Sequence, residues 1–265
     1  MLAAYDNELR GRTSTVLPAG AEAAVDGPLV RITGFAGGGF VGYRDLGGLE
    51  GAELDALIAR QVAVFAGRSE SFEWKLHGHD LPADLPERLR AAGFVPHETE
   101  TVVIASIADV AGPVALPPGV ALREVTGRAD FERIAAMEDA VWGEPGGHRW
   151  LADMLEGERV ADPELLSVFV AEAGEEIVCA AWIRFERGTS FATLWGGGTL
   201  SAWRGRGIYR ATVAHRANVA QERGYAYLEV DASDDSRPIL ERLGFAAVTT
   251  TTPYVWSPES LYSSS

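Results

Sequence analysis

The sequence predicts an α/β (α+β) fold built as two mixed-sheet halves in tandem, and three observations carry that prediction. Hydrophobic periodicity after residue 120 switches between strand and helix repeats in the order β-α-α-β-β-β-α-β-α-β. The stretch Ala111-Gly-Pro-Val-Ala-Leu-Pro-Pro-Gly119 cannot continue a regular element and reads as a linker. The first half also repeats part of the second: Phe72 to His77 followed by Leu85 to Phe94 parallels Tyr227 to Val230 followed by Ile239 to Phe245. The expected organisation is a truncated, degenerate first domain over residues 1–112, a linker at 113–119 and a second domain over 120–265.

Taken in order, Phe40 to Arg44 reads as a strand, Leu54 to Phe65 as a helix and Phe72 to His77 as a strand. Beyond the linker, Val120 to Val125 is a predicted strand. A helix follows over 128–142, with Phe131, Ile134, Ala135, Met137 and Val141 on one face. Glu144-Pro-Gly-Gly147 breaks it, and a second helix is predicted over 150–158. Three strands come next, at 166–173, 177–185 and 190–199, with turns at Gly174-Glu-Glu and Arg187-Gly-Thr. A strand at 225–231, a helix at 234–242 and a last strand after Phe245 complete the order.

Composition bounds the function. At 265 residues and 47% hydrophobic content the chain can bury a substantial core. Its formal charge of −15 repels nucleic-acid phosphates and anionic membranes and would attract a cationic amine, although solubility alone accounts for it equally well. Neither nucleic acid nor membrane is expected as a partner. The single Cys179 permits no intramolecular disulfide and sits in an apolar strand pattern, as expected of a buried, inert thiol. No apolar run approaches 18 residues and Met1 to Arg10 lacks a signal-peptide pattern, so a cytoplasmic protein is expected.

The chemistry points to Trp203-Arg-Gly-Arg-Gly-Ile-Tyr-Arg210, a glycine-spaced turn entering a helix. Residues without Cβ let the backbone approach a ligand, and the first N–H groups of a helix converge on an anion favoured by the helix dipole. A dinucleotide fingerprint would need Gly or Ala at Arg210, and a P-loop needs Gly-Lys-Ser/Thr, which the chain lacks. From Thr189 to Trp256 the chain resembles the GNAT superfamily of N-acetyltransferases, whose acyl-CoA turn follows Arg/Gln-x-x-Gly-x-Gly/Ala. Arg204-Gly205-Arg206-Gly207-Ile208 matches that turn, and the strand, helix and Leu243-Gly-Phe245 exit downstream follow in the same order and spacing. Three positions depart from the family pattern: Tyr209 stands in a Gly/Ala slot and must point away from a pyrophosphate, Leu240 stands where many members carry the tyrosine acid, and Ser233 replaces a usual asparagine.

The resemblance implies acetyl-CoA as co-substrate and direct transfer to an amine in a ternary complex. It implies a donor site formed by Gly197, Gly198 and Thr199, by Arg204 to Arg210 (Gly205, Arg206, Gly207, Ile208 and Tyr209 included), and by Ser233. A neutral amine requires a base, for which Asp231 and Glu138 are the leading candidates beside Asp139, Glu144 and His148. Tyr254 is the candidate acid, with Tyr209 behind it. Trp142 and Trp150 line an acceptor pocket or pack in the core, and His215 reads as a packed histidine. His77 and His79 share a strand face, but beyond Asp80 no third ligand stands near, so no metal is expected. In the first half, Leu46-Gly-Gly-Leu-Glu-Gly51 holds glycines without arginine, and Glu50 and Glu53 would repel a pyrophosphate. That half is expected to be structural, walling the acceptor cleft without binding acyl-CoA. The acceptor is expected to be a small-molecule amine. The alternative is a catalytically silent acyl-CoA-binding or partner-binding module, which Leu240 favours.

Overall fold

A computed structural model describes residues 1–12, 17, 20–34 and 38–258. The fold is mixed α/β and divides into two compact units. The first gathers residues 1–102, 231–234 and the chain from Val248 onward; the second gathers 103–230 and 235–247. Residues 113–119 lie inside the second unit, and the last strand from Val248 groups with the first.

In chain order, the elements that open the first unit are α1 (Leu2–Glu8), β1 (Glu22–Asp26), β2 (Leu29–Thr33), β3 (Gly39–Gly42), α2 (Gly51–Arg68), β4 (Phe72–His77), α3 (Leu85–Ala91) and β5 (Val95–Pro96). Then come β6 (Glu100–Ser106), α4 (Ile107–Val110), β7 (Val120–Val125), α5 (Arg128–Trp142), α6 (Arg149–Ala161), β8 (Leu166–Ala173), β9 (Glu176–Phe185) and β10 (Phe191–Thr199). The chain continues through α7 (Ile208–Glu222), β11 (Tyr227–Ala232), α8 (Arg237–Arg242) and β12 (Ala246–Trp256). After residue 120 this is the predicted order. Gly143 in the left-handed conformation at φ 71° ends α5 where the Pro-Gly-Gly break was expected.

Within the first unit the strands run β1-β2-β3-β4-β12, with β5 on β12. β3 and β4 are parallel, and β12 pairs antiparallel with β4 from Thr251 opposite His77 to Trp256 opposite Phe72. The core beneath this sheet packs Leu54, Leu57, Ile58 and Phe65 of α2 against Phe72, Trp74 and Trp256, with the Phe65 and Phe72 rings stacked 4.0 Å apart. Those α2 residues recur at helical spacing, so one face of the helix is apolar and buried.

Within the second unit the order is β6-β11-β10-β9-β8-β7, where β6 contributes its residues from Val103. β7 to β10 form an antiparallel meander, and β10 pairs parallel with β11 across α7. β8 and β9 are buried almost throughout, as expected of strands covered on both faces. Phe131, Ile134 and Ala135 of α5 and Leu151 and Leu155 of α6 pack with Val168, Val170 and Trp182 in one core cluster. Each unit is thus completed by a strand remote in sequence, β12 in the first and β6 in the second. Long-range pairing of that kind leaves no local signature.

Candidate active site

The site in the second unit begins at a register shift in β10. From Ala192 to Gly196 the strand pairs in register with β9; the register then shifts between Gly196 and Gly198 before pairing resumes at Gly198 and Thr199. Gly196 and Gly197 have φ of 66° and 94°, a region that residues with Cβ seldom adopt. Successive positions then face opposite sides. A Cβ on Gly197 would stand 2.5 Å from the Tyr209 ring of α7, and one on Gly198 would stand 2.7 Å from both carboxylate oxygens of Glu138 on α5. Gly197 and Gly198 are therefore needed where two helices press side chains onto a bulged strand.

Glu138 is the most unusual charge in the unit. It is 5% exposed, its Oε2 accepts a hydrogen bond from the Trp142 indole N–H at 3.1 Å, and its buried Oε1 has no partner among the described residues. Burial pushes its carboxyl above the ordinary glutamate range, against the opposing pull of the Trp142 donor and His148. A carboxyl with one oxygen unengaged and a raised pKa is suited to take a proton. The i, i+4 spacing of Glu138 and Trp142 places both on one face of α5.

Downstream, α7 starts at Gly207, with φ of 84° and no side-chain cap, and its first turn carries no acidic residue. The N–H groups from Gly205 to Arg210 have no protein acceptor among the described residues. Arg204 Nε donates to the Thr199 carbonyl at 3.0 Å and ties the turn to the end of β10, while the Arg206 guanidinium lies 4.7 Å from the centre of the Trp203 ring. Arg210 and Arg242 line a cleft of about 390 Å³ with residues 109–113 and Ala115. Among the described residues Arg204, Arg206, Arg210 and Arg242 have no carboxylate partner, whereas most arginines of this acidic chain are ion-paired. Unsatisfied N–H groups and a helix N-terminus thus meet at one turn that also carries Arg204, Arg206 and Arg210, features that suit an anion. Tyr209 points its ring at Gly197, as a bulky residue in that slot must, and burial raises its hydroxyl pKa.

The remaining candidates are placed elsewhere. Asp231, Ser233 and Tyr254 belong to the first unit. There Asp231 is ion-paired with Lys75, the only lysine in the chain, and Tyr254 is 3% exposed in the aromatic core, with the Arg90 guanidinium 5.5 Å from its ring centre. Asp139 accepts from the His148 backbone and from Nδ1 at 2.9 Å each and from Gly146 N at 2.6 Å, which fixes the loop between α5 and α6. Trp142 and Trp150 are 65% and 50% exposed, so neither is a core residue. His215 packs edge-on against Phe169 with ring centres 4.6 Å apart. Leu240 is fully buried. Cys179 is buried, and burial pushes its thiol up to about 11, with a Thr199 hydroxyl opposing. Arg242 and Arg216 were not singled out from sequence; the i+4 spacing of Arg216 from Thr212 was the available signal.

In the first unit, His77 bonds the Tyr5 hydroxyl at 3.0 Å and Asp80 accepts from Arg10, from the Tyr43 hydroxyl at 2.5 Å and from the His77 backbone at 2.7 Å. Among the described residues no group of three His, Cys, Asp or Glu is arranged to hold a metal ion, and no helix is long and apolar enough to cross a membrane.

Comparison with known proteins identifies the fold. Residues 131–245 match the model of the acetyltransferase (GNAT) family, and this segment of the chain is a GNAT domain. The whole fold is similar to a GCN5-related N-acetyltransferase from Kribbella flavida, with 18% identity, 88% of this chain and 89% of that one covered, and a TM-score of 0.66. It is also similar to a tandem GNAT protein from the clavulanic acid biosynthesis pathway, at 11% identity, 97% and 93% coverage and a TM-score of 0.63. A GCN5-related N-acetyltransferase from Sphaerobacter thermophilus matches at 17% identity, 89% and 82% coverage and a TM-score of 0.61. No curated protein matches the sequence. The family uses acetyl-CoA as its acetyl donor.

Proposed function

We propose that the protein is an acetyl-CoA-dependent N-acetyltransferase that acetylates a small-molecule primary amine directly in a ternary complex, and that only its C-terminal half, residues 120–265, is active. The observation that carries this reading is the pairing, around one bulged strand, of a partner-free carboxylate oxygen on Glu138 with an uncapped helix N-terminus ringed by unpaired arginines. The donor site comprises Gly197, Gly198, Thr199 and Arg204 to Arg210, to which Arg242 is added; Ser233, which belongs to the first unit, is left out of it.

When bound, the co-substrate supplies an acetyl thioester. The N–H groups of Gly205 to Arg210 and the helix dipole hold its pyrophosphate, with Arg206, Arg210 and Arg242 adding charge. The irregular end of β10 offers backbone donors to the pantetheine arm and to the thioester oxygen, where negative charge develops. Glu138 accepts the proton of the attacking amine; unlike Asp231, it is not held by a salt bridge, so it is the stronger candidate base. A thiolate of ordinary pKa near ~8.5 leaves without a dedicated acid at modest cost, which suits a chain with Leu240 in the tyrosine slot and Tyr254 packed in a core. The first half carries Glu50 and Glu53 at its corresponding turn and plays a structural part.

Calorimetric titration with acetyl-CoA tests the donor site, and turnover of acetyl-CoA over an amine panel tests the chemistry. One site and amine-dependent release of CoA are expected. Binding without turnover on any amine would favour the silent module, for which the buried Leu240 speaks; absence of binding would end the transferase reading.

A further inference from the structure

The second unit buries a positive charge for which the transfer chemistry above has no use. Arg216 on α7 is 1% exposed, and among the described residues no carboxylate pairs with it. Its guanidinium is held by carbonyl oxygens alone: Nε donates to Thr212 O at 3.1 Å, and Nη1 donates to Trp182 O and to Trp195 O, both at 3.0 Å. An apolar side chain of similar length would fill this space without the desolvation penalty of an unpaired cation.

The position of those carbonyls is informative. Trp182 and Trp195 are register partners on β9 and β10, and theirs is the last ordinary pairing but one before the shift at Gly196 to Gly198. Holding the Trp195 carbonyl fixes the peptide that leads into Gly196, the first of the two left-handed glycines. The same face of α7 carries Thr212 and Tyr209, at i−4 and i−7 from Arg216, and the Tyr209 ring occupies the space a Gly197 side chain would need. Arg216 thus grips both strands just before the register shift, Tyr209 packs against Gly197 within it, and both are anchored on the helix whose N-terminus forms the anion turn.

We propose that Arg216 is a positioning residue that sets the register shift of β10 against β9 and so aligns the backbone of Gly197 and Gly198 with the α7 turn. The assignment rests on the donor-site reading given above. Its consequence is a division of labour: the turn holds the nucleotide end of the donor, and the Arg216 clamp shapes the groove for the pantetheine end.

Two measurements on the full chain test this. Backbone hydrogen exchange in the ligand-free protein is compared between wild type, Arg216→Lys and Arg216→Met, and the same three proteins are titrated with acetyl-CoA and with 3′-phospho-ADP, which lacks the pantetheine arm. Exchange at residues 196–199 is expected to rise about tenfold in Arg216→Met and less in Arg216→Lys, with the strands β8 and β9 still protected. Acetyl-CoA affinity is expected to fall about tenfold in Arg216→Met while 3′-phospho-ADP affinity holds. Unchanged exchange at 196–199 in a folded variant overturns the proposal, as does equal weakening of both ligands. Should Arg216→Met fail to fold, Arg216→Lys, which keeps the charge and one donor group, decides by the same local exchange. If wild type binds neither ligand, the donor-site reading fails, and the exchange result alone judges the clamp.

Discussion

The two glycine turns of this molecule look alike in sequence and differ in everything that binds an anion. Both join a parallel strand pair through a helix, β3-α2-β4 in the first unit and β10-α7-β11 in the second, and both helices start at a left-handed glycine without a side-chain cap. At α2 the N-cap is Glu50 and the first turn contains Glu53; at α7 the first turn has no acid and Arg204, Arg206 and Arg210 surround it. At the strand ends the contrast repeats. Gly39 of β3 is closed over by the Phe65 ring within a regular ladder, whereas β10 is bulged and presents Gly198 to a carboxylate. The first unit in fact has the larger cavity, about 710 Å³, beside its turn, but the buried Arg10 on its wall is already ion-paired with Asp6 and Asp80. Glycine at a helix start grants backbone freedom; the charge around it and the strand leading into it decide whether the turn is a site.

The largest expected effect sharpens this contrast at Glu138. Glu138→Gln should lower kcat/KM about 10² to 10⁴-fold while leaving acetyl-CoA affinity unchanged, as removal of a general base does. Because the carboxyl is raised by burial, the acid limb of the wild-type pH-rate profile should have its midpoint above the ordinary glutamate value. The sign for stability is opposite. A carboxyl raised on folding contributes stability below its unfolded pKa and loses it as pH rises through the folded value, so the variant should melt higher than wild type near pH 7. A glutamine variant as active as wild type would move the base elsewhere, with Asp231 next to be tested.

In the first unit the equivalent perturbation should act on stability alone. Asp80 is held down to about 2: burial would raise it, but hydrogen bonds from His77 and Tyr43 and the charge of Arg10 outweigh burial. Asp80→Asn leaves the Arg10 guanidinium buried without its main partner and should cost about 3 kcal/mol by chemical denaturation. The wild-type contribution is present above the unfolded aspartate pKa and is lost as pH falls from there towards about 2. Folded Asp80→Asn should bind acetyl-CoA normally; weakened binding would mean that the first unit takes part in the donor site. Smaller in effect is Gly207→Glu, which places acid at the second turn as Glu50 does at the first. Its left-handed backbone and its charge should together weaken acetyl-CoA about 10- to 100-fold by calorimetry, and Gly207→Ala, carrying the strain alone, should weaken it less.

The contrast also explains what was legible in the sequence. Elements with local signatures were readable: the α5 stripe Phe131, Ile134, Ala135 ended where Trp142-Gly143 gives way to the Pro-Gly-Gly break, and the β7 and β8 limits coincide with the predicted ones. The glycine-and-arginine turn at the start of α7 stood out because its residues are contiguous. The family resemblance read from Arg204 to Ile208 and the downstream order is matched by the family's model over residues 131–245. What was not legible depends on distant pairing. β12 completes the sheet of the first unit because Thr251 to Trp256 pair with β4, and nothing near Trp256 announces this. Arg216 and Arg242 escaped notice because an arginine's meaning lies in the partners it lacks, which only the folded chain reveals.

The smallest expected effect concerns Cys179, and it tests how far the opening of β10 extends. Its register partner is Thr199, at the very end of the bulged segment, yet the thiol is fully buried and pushed up to about 11 by that burial. At pH 8 the thiolate fraction is then on the order of 10⁻³, and a thiol reagent must both wait for that form and reach it through the sheet. Native protein should therefore show no modification by a disulfide reagent over an hour at pH 8, and one thiol per chain after unfolding. Slow modification whose rate falls when acetyl-CoA is added would mean that β9 and β10 open together as a local unit, so that the parting of the strands is a motion shared with the donor site. Complete protection with and without acetyl-CoA would confine the irregularity to Gly196, Gly197 and Gly198, a fixed notch cut into an otherwise closed ladder.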